Sequence, residues 1–470
     1  MKAAPRWGAA LCSFYKSNNL NEVIRMMLNC FRSQIIAAGA VFTALFLFLC
    51  PYSFAVTGEL PSDKEELPKG YVKDAPAAAK DKAGDRFFFH FDADLYYTYS
   101  DASNSDALSG LSASILAAPT YKIDKGTFLS LIYDGAYSKK REFYTDGTGY
   151  RARAENQSHT VTPVFRYDFG QNDRFTIKPS LFFTQTYNKD TNESDWDDGL
   201  YNYRDYGGGV DFTARELITG QADDALTLGF QLYKRKYPNY VSLLDLSGAG
   251  GLNSERDEKD YLGLILNTRY QRTQELGMSW SLGYSLLTKW LDDKKVVDMN
   301  GVLTSEEQKD YLHMLEAKTW YLFEGGFRLG LNLEADKNDS NQNYYEGFNT
   351  IGLGDDIATR DYYDYVMYQI NPNISYQFRL IPLTLFASYS YQKLEYDDRL
   401  AENSNGTYKT EKQEEETITT ALGAKYAFNE TWALVCQWEH TDVDSNNLNE
   451  SVYQYNYWAD TYTIGISVKF

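Results

Sequence analysis

Hydrophobic and polar residues alternate over most of the chain beyond residue 85, and the pattern is clearest at the very end. In the last nine residues, YTIGISVKF, large apolar side chains occupy every second position: Tyr462, Ile464, Ile466, Val468 and Phe470. Because successive side chains of a strand point to opposite faces, this pattern predicts a strand with one apolar face. The last strand of a soluble, half-buried sheet would show the same alternation.

From Arg86 onward the alternating runs come in pairs: a run, a tight turn, a second run and then a longer polar loop. We predict sixteen strands, near residues 87–99, 110–122, 127–139, 158–169, 174–188, 206–216, 225–236, 259–271, 276–290, 311–322, 327–335, 362–378, 383–396, 416–428, 431–441 and 453–470. The short connections have turn chemistry, as in Asp124-Lys125-Gly126 and Glu324-Gly325-Gly326. The run near 311–322 has few β-branched residues, so fourteen or eighteen strands stay open.

This organisation predicts an all-β fold, a transmembrane antiparallel up-and-down β-barrel over residues 86–470. A soluble β-helix or a tandem β-sandwich is the alternative. Neither explains why short and long connections alternate so regularly. An even number of strands places both ends of the barrel domain at its short-turn end.

The face opposite the apolar one carries charges of both signs. The charged residues that we predict to line the lumen are Asp92, Asp94, Asp134, Arg166, Arg174, Lys178, Asp211, Arg215, Arg269, Glu316, Arg328, Glu334, Lys425 and Glu439. Each would cost several kcal/mol if it were buried unpaired in a dry interior, so a hydrated interior is expected. About sixteen strands leave room for an aqueous channel. Two arrangements remain: the charges line an open pore, or they pair into a network that blocks it.

Aromatic residues also fall on this inner face. Phe88, Phe182, Tyr233, Tyr363 and Tyr365 are predicted to face inward, where they either stack on sugars or pack under an inward-folded loop. On the apolar face, Tyr and Trp concentrate towards the strand ends, as at Tyr121, Tyr187, Tyr284, Tyr376, Tyr426, Trp432 and Trp438. That distribution is typical of an aromatic girdle at a membrane interface.

Composition supports a strand-rich membrane protein and excludes other classes. The chain contains 40 Tyr, 26 Phe and 8 Trp, residue types that favour strands and membrane interfaces. A mean hydropathy of -0.50 is too polar for a bundle of membrane helices. The formal net charge of -19 argues against a nucleic-acid partner.

The only long apolar run lies near the N-terminus. Residues Ile35 to Cys50 follow Arg25 and Arg32, and small residues end the segment at Ala55, which predicts a signal peptide over residues 1–55. An uncleaved anchor is the alternative. Because the part before the apolar run is long for such a signal, we predict that translation begins at Met26 or Met27.

Residues 56–85 are charged and Ala-rich, which predicts a flexible periplasmic leader. Cleavage after Ala55 would remove Cys12, Cys30 and Cys50. Only Cys436 would remain, so neither an intramolecular disulfide nor a cysteine-based metal site is expected in the mature chain.

The terminal Phe470, with apolar residues at alternate positions before it, resembles the C-terminal signal of Gram-negative outer-membrane β-barrels. Together with the signal peptide and the strand pattern, it makes the chain similar to a porin-like family of such barrels. The resemblance implies that Tyr462, Ile464, Ile466, Val468 and Phe470 are recognised by the barrel assembly machinery. It also implies contact with outer-membrane lipid and lipopolysaccharide, periplasmic termini, no cofactor and, as in many sixteen-stranded porins, a homotrimer.

The sequence therefore favours a porin-like channel for passive diffusion of small hydrophilic solutes. The alternatives are an export or assembly barrel, for exopolysaccharide secretion or surface-lipoprotein assembly, and a solute-tight surface receptor or adhesin. Catalysis is not expected, because His90, His159, His313 and His440 are scattered and match no nucleophile or zinc motif. No metal site is expected either, since the acidic loops lack the spacing of a calcium loop.

Overall fold

The computed structural model describes residues 86–103, 105–141, 153–189, 195–217, 223–240, 257–274, 277–346, 357–449 and 455–470. The predicted signal peptide, at 1–55, and the predicted leader, at 56–85, lie outside these residues. Among the described residues, no helix is long and apolar enough to cross a membrane.

Sixteen antiparallel strands form a closed barrel, and two short strands form a separate sheet. The barrel strands are β1 (Phe87–Ala102), β2 (Ser105–Asp124), β3 (Thr127–Arg141), β4 (Arg153–Phe169), β5 (Phe175–Lys189), β6 (Tyr203–Arg215), β7 (Asp223–Lys236), β8 (Tyr261–Thr273), β9 (Met278–Val297), β10 (Leu303–Leu322), β11 (Phe327–Ser340), β14 (Tyr365–Gln377), β15 (Leu383–Glu402), β16 (Tyr408–Ala427), β17 (Trp432–Ser445) and β18 (Tyr457–Lys469). The small sheet pairs β12 (Tyr344–Glu346) with β13 (Ile357–Thr359).

Each barrel strand pairs with its neighbours in chain order, and β18 pairs with β1 to close the ring. The prediction of an all-β barrel with sixteen strands is confirmed, and each predicted run overlaps one barrel strand. The least certain of the predicted strands, near 311–322, corresponds to the C-terminal part of β10. The small sheet of β12 and β13 was not predicted.

Several strands continue beyond their predicted ends. β9, β10, β15 and β16 each have 20 residues and extend further at the end opposite the chain termini. Their outer segments are mostly charged, as in residues 408–416 of β16, so no apolar alternation marks them. Cross-strand backbone hydrogen bonds hold these segments extended where side-chain patterning gives no signal.

The two ends of the barrel differ. One end, which we call the short-turn end, holds Phe87, Phe470 and brief connections such as residues 125–126 and 323–326. Gly126 and Gly326 adopt φ of 87° and 90°, a backbone region that side chains other than glycine rarely enter. A Cβ at either position would also lie 2.8 Å or less from a carbonyl oxygen of the next strand. The opposite, long-loop end holds the longer connections.

Outward-facing positions carry the apolar residues. Cross-strand partners point to the same side of a sheet, so the register extends the exposed apolar face of β1 around the whole barrel. Side chains such as Leu181, 66% exposed, and Ile464, 51% exposed, show that this face has no protein cover within the chain. An apolar band around a closed barrel is the surface that a bilayer requires.

The seam between β1 and β18 is made by backbone and ring contacts. The Phe91 N–H donates to the Phe470 carbonyl at 2.7 Å, and the Phe470 N–H donates back to Phe91 at 2.9 Å. The two phenyl rings stack with centroids 4.9 Å apart. On the inner face, Tyr96 pairs with Gly465, and its ring occupies the space of the missing side chain: a Cβ at Gly465 would lie 2.0 Å from Tyr96 Cδ1.

We expect Gly465→Val to destabilise the barrel by about 1–3 kcal/mol, because the new side chain overpacks the seam against the Tyr96 ring. The purified protein is unfolded with urea in lipid vesicles. The folded fraction is read from a gel, on which folded protein and heated protein migrate differently.

Thr463→Val places a valine of nearly the same volume two residues away on the same inner face. It removes only the 3.5 Å contact between the Thr463 and Thr98 hydroxyls, so it should lower the unfolding midpoint clearly less than Gly465→Val does. Adding Tyr96→Ala to Gly465→Val should recover part of the loss. Equal midpoints for Gly465→Val and the unchanged protein would show that the ring over Gly465 does not limit closure.

Candidate functional site in the barrel interior

The cross-strand register determines which side chains face the interior. All but one of the charged residues predicted for the lumen occupy inward positions: Asp92, Asp94, Asp134, Arg166, Lys178, Asp211, Arg215, Arg269, Glu316, Arg328, Glu334, Lys425 and Glu439. The apolar and charged faces therefore separate as the alternation of the sequence predicts.

Arg174 is the exception. It was predicted as the first residue of a strand, but its backbone is α-helical (φ -62°, ψ -27°) and ends the short turn before β5. Its guanidinium donates to the carbonyls of Arg215 and Glu216 at 3.0 Å. Arg174 therefore ties two neighbouring turns together at the rim and is not part of the strand wall. The sequence pattern placed Arg174 on the strand because it began β5 one residue too early: the turn includes Arg174, and β5 begins at Phe175.

A charged network lies on the inner wall near the short-turn end. Asp168 accepts hydrogen bonds from Arg166 Nε at 2.9 Å and from Thr176 Oγ1 at 2.6 Å. Arg215 donates to Thr176 Oγ1 at 2.8 Å. The Asp168 side chain is only 7% exposed, whereas Arg166 keeps 41% of its side-chain surface. The carboxylate is thus part of the wall, and the guanidinium beside it faces open space.

Glycines on the inner face let charges from non-adjacent strands meet. Arg269 of β8 reaches Glu316 of β10 at 3.6 Å, across Gly283 of β9, which pairs with both. A Cβ at Gly283 would have both side chains within 4 Å. Lys318 binds the same carboxylate oxygen at 3.1 Å. A bulky residue at Gly283 would occupy the space through which this pair forms.

The inner-face ion pairs run along the wall. The pairs of His90, Arg166, Arg235, Arg269, Lys318 and Lys469 with inner-face carboxylates join side chains of one strand or of strands at most two apart. Arg269 remains 42% exposed although it faces inward. A network that blocked the lumen would join opposite walls and bury these cations. These pairs do not cross the interior, and they leave Arg269 exposed.

The long-loop half of the interior is rich in tyrosine packed against cations. Arg235 donates two hydrogen bonds to Asp205, each at 2.7 Å, and its guanidinium lies 3.8 Å from the Tyr203 ring centre. The Tyr261 ring centre is 5.5 Å from the same guanidinium. Composition indicated many aromatics but could not show that they meet basic residues inside the barrel.

The aromatic residues predicted to face inward do so in four of five positions. By register, Phe88, Phe182, Tyr233 and Tyr365 point into the barrel. Phe182 and Tyr233 have ring centres 6.2 Å apart. Tyr363 was placed on a strand, but it lies in the connection before β14. Its ring packs edge-on against Tyr362 at 5.2 Å.

The histidines form no common site. His159 and His313 face outward, each 2.9 Å or less from a tyrosine hydroxyl, of Tyr133 and Tyr284 respectively. His440 also faces outward and contacts Asp460 at 3.0 Å. His90 faces inward against Asp92. In the part of the chain that the structure describes, no group of three or more His, Cys, Asp or Glu side chains is arranged to hold a metal ion.

Comparison with known proteins gives one family match. The model of the outer membrane protein beta-barrel domain matches residues 270–470. No curated protein matches the chain. Among solved structures the chain is similar to OmpT, an outer membrane protein of Vibrio cholerae, with 12% identity and a TM-score of 0.41 over 82% of this chain and 100% of that chain. It is also similar to OccAB1 of Acinetobacter baumannii, with 10% identity and a TM-score of 0.42 over 82% and 97% of the two chains. The family match and the closed barrel of sixteen strands fit a Gram-negative outer-membrane β-barrel.

We expect Asp168→Asn to lower the free energy of unfolding by about 2 kcal/mol, because the amide removes the negative charge that accepts from Arg166 and Thr176. Asp173→Asn, in the nearby turn, is the matched control and should change it by less than about 0.5 kcal/mol. Both are measured by urea unfolding in vesicles. A loss no larger than that of the control would show that the network contributes little to stability.

A second prediction concerns Asp364, just before β14 and outside the spanning strands. Burial raises the pKa of Asp364 to about 6, with help from Asp361, Asp339 and Asp397, although the Ser340 N–H donating to it at 2.6 Å opposes the rise. The folded state then binds this proton more tightly than the unfolded chain, whose pKa is about 3.9. Stability should therefore fall as pH rises from about 4 to about 6.

Asp364→Asn should flatten this part of the pH profile, measured as the urea midpoint at several pH values. Asp398→Asn, at an exposed carboxylate that pairs with Lys412, serves as the control and should keep the slope. An unchanged slope in Asp364→Asn would assign the pH dependence to other groups.

Proposed function

We propose that this outer-membrane β-barrel is a porin-like channel through which small hydrophilic solutes diffuse passively. The observation that supports it best is the state of the inner wall. Arg166 and Arg269 face the interior of a closed barrel, yet each keeps about two fifths of its side chain exposed. Half-exposed charges on an inner face imply water beside them, because a dry interior would impose a desolvation cost on each.

Selection in such a channel depends on size and on the field of the wall. The inward charges are of both signs, with Lys178 paired in register to Asp211 and Glu316 held by Arg269 and Lys318. A solute would exchange part of its hydration shell for these groups during passage. No covalent step is involved, and the proposal assigns no residue a catalytic role.

The difference between the two ends of the barrel supports a proposed orientation. We place the short-turn end, with both ends of the barrel domain, in the periplasm and the long-loop end outside, as is general for outer-membrane barrels. Under this proposal residues 1–55 direct export and residues 56–85 form a periplasmic leader. The seam strand ending at Phe470 is recognised by the assembly machinery, lipopolysaccharide surrounds the outward face, and the barrel assembles as a homotrimer.

The test is conductance of the protein made from the full chain, exported by the cell and purified from outer membranes. Added to a planar bilayer with an asymmetric KCl gradient, it should give stable current steps, and the reversal potential should report the sign of the preferred ion. Arg269→Gln should move that potential towards cation preference, because it removes one positive charge from the wall. Lys337→Gln removes a charge of the same sign from the outward face and should leave the potential unchanged.

Absence of current steps, with folding shown by the shift on heating, would contradict the channel. An export barrel that opens only with its partners, or a receptor acting through its loops, would then take its place. Failure of the protein to reach the outer membrane would contradict the assigned orientation and export signal.

A further inference from the structure

Cations packed against tyrosine rings are concentrated in one half of the barrel. In the described residues, the contacts between a cation and a Tyr ring involve Arg235, Lys259, Lys289, Lys294 and Arg399. All of these cations lie in or next to the long-loop half. The remaining cation–ring contacts use Phe or Trp instead. This segregation is unexpected for a chain with a net charge of -19.

Arg399 is the cation with the most tyrosine around it. Its guanidinium lies 4.8 Å from the ring centre of Tyr362 and 4.9 Å from that of Tyr396, and it donates to the Tyr455 hydroxyl at 3.3 Å. The three tyrosines come from different segments: the connection before β14, strand β15 and the residues before β18. The neighbouring Asp398 is engaged by Lys412. Among the described residues, Arg399 forms no ion pair, and the acid on which its charge acts is Glu415.

Lys294 contacts Tyr363, the ring next to Tyr362. Its ammonium is 5.9 Å from the ring centre of Tyr363, and Tyr363 packs edge-on against Tyr362. Lys294 is half-buried and also experiences the positive charge of Lys259. The carboxylates of Asp310 and Glu258 both act on it from a distance, and that of Asp310 already accepts hydrogen bonds from Gln308 and Ser340. Within the described residues, Lys294 has no salt-bridge partner.

Two half-buried cations that form no ion pair with any described residue therefore contact the adjacent rings of Tyr362 and Tyr363. The general tendency is for such cations to be paired, because desolvating a charge is costly. A guanidinium held between rings keeps its planar donors available for a carboxylate. Tyr362 also stacks on Tyr344, with ring centres 4.5 Å apart, so a neighbouring ring and the Arg399 guanidinium already occupy its faces. Tyrosine hydroxyls suit sugar hydroxyls.

We propose that Lys294, Tyr362, Tyr363, Tyr396, Arg399 and Tyr455 form a binding site for acidic oligosaccharides, chains of sugars that carry carboxylates. The carboxylates bind Arg399 and Lys294, and the sugar hydroxyls bind the hydroxyls of the tyrosines between them. This inference rests on the proposed channel, because the site would select solutes at the entrance of that channel.

An oligosaccharide fits better than a small aromatic acid. The cation–tyrosine pairs extend from Tyr203 of β6 to Tyr455 before β18, too far apart for one ring to contact them together. A chain of linked rings can occupy several of these positions in turn. The Arg235 group, already paired with Asp205, would then guide the chain, and the unpaired Arg399 would bind it.

The test is equilibrium binding, by titration calorimetry, of tri-galacturonate to the full-length protein purified from outer membranes in detergent. Tri-galacturonate should bind, and maltotriose, a neutral sugar of the same length, should bind at least about tenfold more weakly. Arg399→Gln and Lys294→Gln should each weaken tri-galacturonate binding about tenfold. Arg399→Lys should recover only part of the loss, because an ammonium cannot make two parallel hydrogen bonds to a carboxylate. Lys337→Gln, at an outward cation, should bind normally.

Each other outcome overturns the inference. Equal binding of maltotriose would show that the cations take no part, and binding of benzoate without tri-galacturonate would assign the site to small aromatic acids. Unchanged affinity in Arg399→Gln, with folding verified by heat-dependent mobility, would move any binding elsewhere. Because binding is measured without current, a protein that conducts but does not bind refutes this site alone, and one that binds but does not conduct refutes the channel alone.

Discussion

The closed ring of backbone hydrogen bonds is the constraint on which the rest of this structure depends. A strand edge left open in hydrocarbon would expose N–H and C=O groups with no partner, at several kcal/mol each. Pairing of β18 with β1 removes the last open edge. The reciprocal hydrogen bonds between Phe91 and Phe470 extend this pairing to the final residue. Once the ring is closed, every side chain must point either to lipid or to the interior. The separation of apolar and charged faces follows from that geometry.

The interior is organised by residue size as well as by charge. The ring of Tyr96 lies over Gly465, and Tyr233 lies over Gly263 in the same way, with 2.4 Å between the ring and a Cβ placed there. At Gly283 the free space instead admits a salt bridge between Arg269 and Glu316. Glycine on an inner strand position thus decides which neighbouring side chains can lie along the wall and meet there.

Sequence pattern alone gave the number of strands, the short turns and nearly all inward charges, because each depends on a period of two residues and on local turn chemistry. It could not give the positions of Arg174, Tyr363 or Arg399. Arg174 belongs to a turn that displaces the expected start of β5, and Tyr363 lies in a connection. Near Arg399 the register shifts between Glu395 and Leu400, so counting by two no longer tells which way a side chain points. The tyrosine–cation groups join segments distant in sequence, and one sequence holds no record of that proximity.

The inward glycines also bear on how such a protein can change over generations. A strand offers alternate positions to two different environments, so a substitution on the inner face leaves the lipid-facing face untouched. Replacing Gly283 by a larger residue, or placing a glycine opposite another charge, would alter which inner groups meet without affecting membrane insertion. Selection on permeability can then act on one set of positions while selection on membrane residence acts on the other. Barrels with the same outer band can in this way diverge in what they admit, without passing through an intermediate that no longer inserts.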